Sequence, residues 1–165
     1  MEFKQARQKF IQSWGTLGSN WGINKTMAQI HALLLVSAKP LSTEEIMEEL
    51  GISRGNANMN VRALLDWGLV EKEYVVGERK EFFVAEKDMW QIAVNITKMR
   101  RQKELAPVVK VLGHIDHVEG KGEEVEEFVK VMKELSAFVK DADRLFEKFS
   151  SNERSWYMNL IRKIF

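Results

Sequence analysis

At Leu69 the spacing of apolar residues changes abruptly, and this switch limits the fold more than any other feature of the chain. Upstream, Ala57, Val61, Leu64 and Leu65 recur at helical steps. Downstream, Val70-Glu71-Lys72-Glu73-Tyr74-Val75-Val76 and Glu81-Phe82-Phe83-Val84 are short β-prone runs flanking Gly77-Glu78-Arg79-Lys80, which reads as a hairpin with a basic tip. Local start and stop signals divide the segment before the switch. Ser42-Thr43-Glu44-Glu45 has the form of a capping box, and its helix carries Ile46, Met47 and Leu50 before stopping at Gly51. Ser53 caps the next helix, which Gly68 closes. The turn Gly51-Ile52-Ser53 is short enough for a helix–turn–helix, with Ile46, Leu50, Ile52, Ala57 and Val61 to lock the two helices together.

The rest of the chain is helical in pattern. Only Pro40 and Pro107 interrupt it. Phe3, Ala6, Phe10, Trp14 and Leu17 form one apolar stripe, which Gly15, Gly18 and Gly22 are expected to break. A second helix starts at an Asn24 cap and ends at Lys39-Pro40; another runs from an Asp88 cap through Met99, with Pro107 kinking or restarting it. After a loop bracketed by Gly113, Gly120 and Gly122, the residues Val125, Phe128, Met132, Leu135, Val139, Ala142, Phe146 and Phe149 alternate steps of three and four without exception. Such a heptad stripe needs another helix lengthwise against it, either in the same chain or in a second copy. A last short helix is expected from Asn152 to Phe165. The pattern implies a mainly α chain with a small β-hairpin. Three segments follow: N-terminal helices over 1–39, a compact unit over 40–87 and a helical region over 88–165.

Composition narrows the chemistry. The chain has no cysteine, which removes disulfides, Cys-ligated zinc, iron–sulfur clusters and thiol catalysis, and fits a reducing cytoplasm. No apolar run approaches the roughly 18 residues that span a bilayer, and the N-terminus lacks a signal-peptide core, so a cytoplasmic protein without membrane partners is expected. The formal net charge of +1 is low for a protein that grips phosphates, so the distribution of charge has to carry any nucleic-acid reading.

That distribution is uneven. From Arg54 to Leu65 there is no acidic residue, although the preceding helix carries Glu44, Glu45, Glu48 and Glu49. Facing away from the apolar stripe lie Arg54, Gly55, Asn58, Met59 and Arg62, with Asn56 near the helix start and Asn60 at its flank. Asn suits a bidentate contact to adenine and Arg a contact to guanine or phosphate, while Gly55 permits close backbone approach. Double-stranded DNA is the partner this face fits. Asn56, Asn58, Met59 and Arg62 are expected at the bases, Arg54 and Lys72 at phosphates, and Arg79 and Lys80 at the hairpin tip. Ser53 and Asn60 complete the expected DNA-contacting set.

These residues resemble the MarR-type winged helix-turn-helix regulators, and more narrowly the GbsR-like subgroup. The resemblance runs through Pro40-Leu41-Ser42, Glu45-Ile46, Glu49-Leu50, Ile52-Ser53-Arg54-Gly55-Asn56, Asn60-Val61-Arg62, Leu64 and Trp67-Gly68-Leu69-Val70. It continues through Gly77-Glu78-Arg79-Lys80 and Phe82-Phe83, and covers about residues 1–105. It implies a homodimeric repressor, each protomer placing one helix in successive major grooves of a pseudo-palindromic operator, with the heptad helix in the dimer core. Some subgroup members resemble sensors of choline or betaine, so a small-molecule effector is an open expectation. Trp14, Trp21, Trp67, Trp90 and Trp156 are cage candidates by residue type, although core packing is the plainer role for each. The competing reading is a winged helix that docks on protein in a transcription or chromosome assembly.

Catalysis and metal binding find little support. His114 and His117 flank Asp116 at a spacing that could hold a metal on a helix, but nothing nearby completes a ligand set. Glu123, Glu124, Glu126 and Glu127 suit a helix N-terminus. With no phosphate loop, nucleophile elbow or catalytic triad in the pattern, neither an enzyme nor a cofactor is expected.

Overall fold

The computed structural model describes residues 1–115 and 118–151, and comprises two compact units, Met1–Ile92 and Ala93–Phe165. The first contains α1 (Phe3–Asn20), α2 (Lys25–Val36), β1 (Leu41–Ser42), α3 (Thr43–Leu50), α4 (Arg54–Asp66), β2 (Val70–Glu73) and β3 (Phe82–Ala85). Helix α5 (Met89–Arg100) begins in the first unit and ends in the second. A π-helical turn (Arg101–Leu105), α6 (Ala106–His114) and α7 (Glu123–Ser150) follow. Among the described residues, no helix is long and apolar enough to cross a membrane.

Most helix ends lie where local chemistry puts them. Asn24 accepts from Met27 N at 3.1 Å, and Asp88 accepts from Trp90 N and Gln91 N at 2.8 and 3.1 Å. The Ser42–Glu45 capping box is complete: Ser42 Oγ accepts from Glu45 N at 3.3 Å, and Glu45 Oε2 accepts from Ser42 N at 2.8 Å. Gly51 ends α3 in the left-handed region at φ 63°, which glycine reaches without strain. Pro107 falls in the first turn of α6, so the helix restarts there after the π-helical turn.

Three expectations are corrected. Helix α1 is not broken at Gly15 or Gly18 but runs on to Asn20. Both glycines are buried, and a Cβ on Gly18 would come within 2.5 Å of the Ala28 Cβ, so their missing side chains let α2 approach. The apolar stripe read on α1 is not its buried line: Phe3, Ala6 and Leu17 are exposed, and the buried residues are Ile11, Gly15 and Gly18. The hairpin strands are shorter than the β-prone runs, and Tyr74 to Val76 lie beyond the end of β2, exposed.

The hairpin also gains a third strand. The sheet order is β1-β3-β2, antiparallel, with Leu41 opposite Phe83 and Val70 opposite Ala85. In the first unit the core gathers Ile30, Leu33 and Leu34 of α2, Ile46 of α3, Ala57, Val61 and Leu64 of α4, and Val70 and Phe83 of the sheet. His31 is buried with them, its ring centroid 6.3 Å from that of Trp14 and its Nε2 without a hydrogen-bond partner. Burial pushes its pKa down to about 4, so the imidazole is neutral at physiological pH.

In the second unit Arg101 grips Asp143 of α7 with both arms of its guanidinium, Nε to Oδ1 at 2.7 Å and Nη2 to Oδ2 at 2.9 Å. Only part of the heptad stripe on α7 is covered: Val139 is buried, whereas Phe128, Leu135 and Phe146 are exposed. Asp116, His117 and the helix expected over Asn152–Phe165, with Trp156, lie outside the described residues.

Candidate nucleic-acid interface

Helix α4 presents two unlike faces. Ala57, Val61 and Leu64 are closed off from solvent and, with Ile46, hold α4 against α3 and the core. Leu50 and Ile52, expected in the same lock, are half-buried. On the other face Arg54, Gly55, Asn58, Met59 and Arg62 are exposed, Met59 to 60 %. A Cβ on Gly55 would meet nothing within 4 Å, so the backbone there is open to close approach.

Ser53 caps α4, its Oγ accepting from Asn56 N at 3.3 Å, which ties this hydroxyl to the helix start. Asn60 lies elsewhere than its expected flank position. It is only 3 % exposed, and its Nδ2 donates to Asn56 O at 2.9 Å and to Asn56 Oδ1 at 2.7 Å. The amide therefore serves the helix and orients Asn56, which is half-buried above it. The spacing carried a signal for this: residues 57, 60, 61 and 64 share one helical stripe, and three of them are apolar.

The hairpin adds a second basic element. Its loop is exposed from Tyr74 to Glu81, with Gly77 at φ 89° and Glu78 N donating to Val75 O at 3.1 Å. Arg79 and Lys80 are exposed within this loop, and Lys72 pairs with Glu81 across the base of the hairpin. At the start of α4, Arg54 Nη2 donates to Glu44 Oε1 at 2.8 Å. Glu44 is held below the ordinary carboxylate range, first by a backbone N–H and then by the Arg54 guanidinium, with the Lys80 charge contributing from the hairpin. The pairing of Arg54 and Lys72 with carboxylates was not anticipated; an acid ten residues upstream shows in the sequence but not its reach.

The described tryptophans occupy varied settings. Trp14 is half-buried with Phe10 5.5 Å away between ring centroids, Trp67 and Trp90 are half-buried, and Trp21 is exposed. His114 is exposed, its Nδ1 2.6 Å from Lys110 O. Among the described residues, no group of three or more His, Asp or Glu side chains is arranged to hold a metal ion.

Comparison with known proteins agrees with this geometry. Residues 21–80 match the model of the MarR family. YvaV of Bacillus subtilis (strain 168), named as an HTH-type transcriptional regulator, is 26% identical over 161 residues, covering 91% of this chain and 90% of its own. The HTH-type transcriptional repressor GbsR of the same organism is 28% identical over 102 residues, covering 62% of this chain and 56% of its own. A crystal structure of a transcriptional regulator superposes with a TM-score of 0.64 at 18% identity, covering 88% of this chain and 96% of that one, a likeness of fold.

Proposed function

We propose that this chain, whose residues 21–80 match the model of the MarR family, is a DNA-binding transcriptional regulator that works as a homodimeric repressor. The observation that carries this reading is the outer face of α4, free of acid from Arg54 to Leu65 and reaching Asp66 only at its last residue, with Arg54, Asn58, Met59 and Arg62 exposed beside the Arg79-Lys80 tip. In this reading residues 40–87 meet the duplex, with Asn56, Asn58, Met59 and Arg62 toward base edges and Arg54, Lys72, Arg79 and Lys80 toward phosphates. Asn60 acts through the helix rather than on the DNA, whereas the exposed Ser53 hydroxyl, which accepts the cap bond, keeps its proton free for a phosphate.

Residues 88–165 and the N-terminal helices would join two copies. Support comes from the uncovered side chains of α7, chiefly Phe128, Leu135, Phe138, Leu145 and Phe146, which a second copy would bury. Pairing sets two recognition helices about 34 Å apart, one turn of DNA, so an effector that alters their spacing releases the operator. As a regulator of transcription rather than a catalyst, the protein would act in the cytoplasm.

A gel shift against genomic fragments at near-physiological salt tests the DNA reading. A retarded subset of fragments is expected, and no retardation would favour a protein-docking winged helix. Light scattering on the eluting protein tests the pairing, where a species of 19.2 kDa would sink it.

A further inference from the structure

We propose that Glu44 and Glu81 are built-in stand-ins for DNA phosphate: they hold Arg54 and Lys72 in the unbound protein and suppress binding to duplexes of the wrong sequence. The proposal rests on reading α4 and the hairpin as the DNA-contacting face. Two of the four cations expected at phosphates are paired with a carboxylate within that face, Arg54 with Glu44 and Lys72 with Glu81. Glu44 also feels the charge of Lys80, so two cations answer to that one carboxylate.

These pairs suit exchange better than stabilisation. Their side chains are 42 to 61 % exposed, and ion pairs so open to water contribute little to folding. Their effect falls instead on what approaches the face. A loosely docked duplex meets cations already neutralised, with two carboxylates that repel its backbone. A well-fitted duplex brings phosphate oxygens within bonding reach, and charge-assisted bonds to phosphate then replace those to glutamate. Because specificity is a difference between two affinities, weakening the wrong complex serves it as well as strengthening the right one.

Fluorescence anisotropy tests this, using a random-sequence duplex and one enriched by selection on the wild-type protein, each across a salt series. Glu44→Gln should tighten the random duplex about three- to fivefold at low salt and the selected duplex less. It should also steepen the logarithmic salt dependence by about one unit. Glu44→Asp, which keeps the charge, should stay near wild type. In an Arg54→Ala background the effect of Glu44→Gln should shrink by more than half, leaving the share that acts through Lys80. Glu81→Gln should act in the same direction through Lys72. An unchanged affinity and slope in Glu44→Gln overturns the proposal, as does an effect that survives Arg54→Ala in full. A wild-type protein that binds neither duplex would instead overturn the DNA reading beneath it.

Discussion

In the first unit Ile30, Leu33, Leu34, Ile46 and Leu64 are shut away from water, whereas α7 in the second leaves Phe138 72 % and Leu145 61 % exposed. Both regions are rich in apolar side chains at helical spacing, so hydrophobicity alone does not separate them. The difference lies in how many elements share each core. Two further helices, α1 and α3, and the sheet converge on α2 and α4, and each supplies a face. Along α7 the apolar residues occupy two overlapping heptad lines. One includes the buried Val139; the other, Phe128, Val131, Leu135, Phe138 and Leu145, meets solvent. One region closes its core within its own elements, and the other leaves an apolar face open to solvent, the face that the proposed pairing would bury.

The most severe break of this contrast is a cavity in the closed core. Leu33→Ala should cost about 2–5 kcal/mol of unfolding free energy in a urea titration, because the side chain is wholly enclosed. A loss of under 1 kcal/mol would mean that the first unit is not closed as described. Next comes acid. His31 is neutral when buried and protonates on unfolding, so its folded pKa lies below its unfolded one. Its contribution is complete above about pH 6.5 and falls by about 3 kcal/mol between pH 6.5 and pH 4. Asp143 has a depressed pKa because Arg101 hydrogen-bonds its carboxylate; its contribution is complete above about pH 4 and lost only below that. Acid should therefore weaken the first unit earlier, and His31→Gln should flatten the upper part of the profile. Equal slopes in wild type and variant would remove His31 from that role.

Phe138→Glu sharpens the other side. It should leave far-ultraviolet circular dichroism unchanged while weakening the proposed dimer by about 2 kcal/mol, read as a mass falling toward 19.2 kDa on dilution. A dimer indifferent to this charge would place the interface elsewhere. The smallest effects concern the outer face of α4 and the hairpin. Asn58→Ala should relax preference at one base pair by about 1 kcal/mol or somewhat more. Arg79→Ala should weaken all duplexes alike and flatten the salt dependence by about one unit. If the two variants exchange phenotypes, the assignments of base and phosphate contacts exchange with them.

What could be read from residues alone follows the range of the interaction involved. Caps at Asn24, Ser42, Ser53 and Asp88 were legible because a side chain there bonds a backbone two or three residues away. The helix–turn–helix and hairpin were legible because their punctuation is equally local. Gly15 and Gly18 misled because a glycine that breaks a helix and one that admits a neighbour look the same until Gln29 and Ala28 are placed beside them. The two-residue strand β1 was invisible, being too short for any period and defined only by its pairing with β3. In the candidate interface the exposed faces of Asn58, Met59 and Arg62 came from period alone. The Asn56–Asn60 bond and the Glu44–Arg54 pair did not, since both depend on side-chain reach.

The π-helical turn at Arg101–Leu105 makes the second unit a matter of phase. Its ladder closes one residue late, with Ala106 N donating to Arg101 O, so everything downstream is rotated by about 100° relative to an unbroken α-helix. Deleting one residue between Arg101 and Leu105 would let the ladder close at the ordinary spacing and keep Leu112, buried on α6, close to its present phase, whereas straightening the turn at full length would swing it off its seat. Closing this turn at full length is therefore a harsher perturbation than losing one of its residues. The stretch carries one residue more than an ordinary turn holds, and the seating of α6 within its own unit depends on that surplus being taken up there.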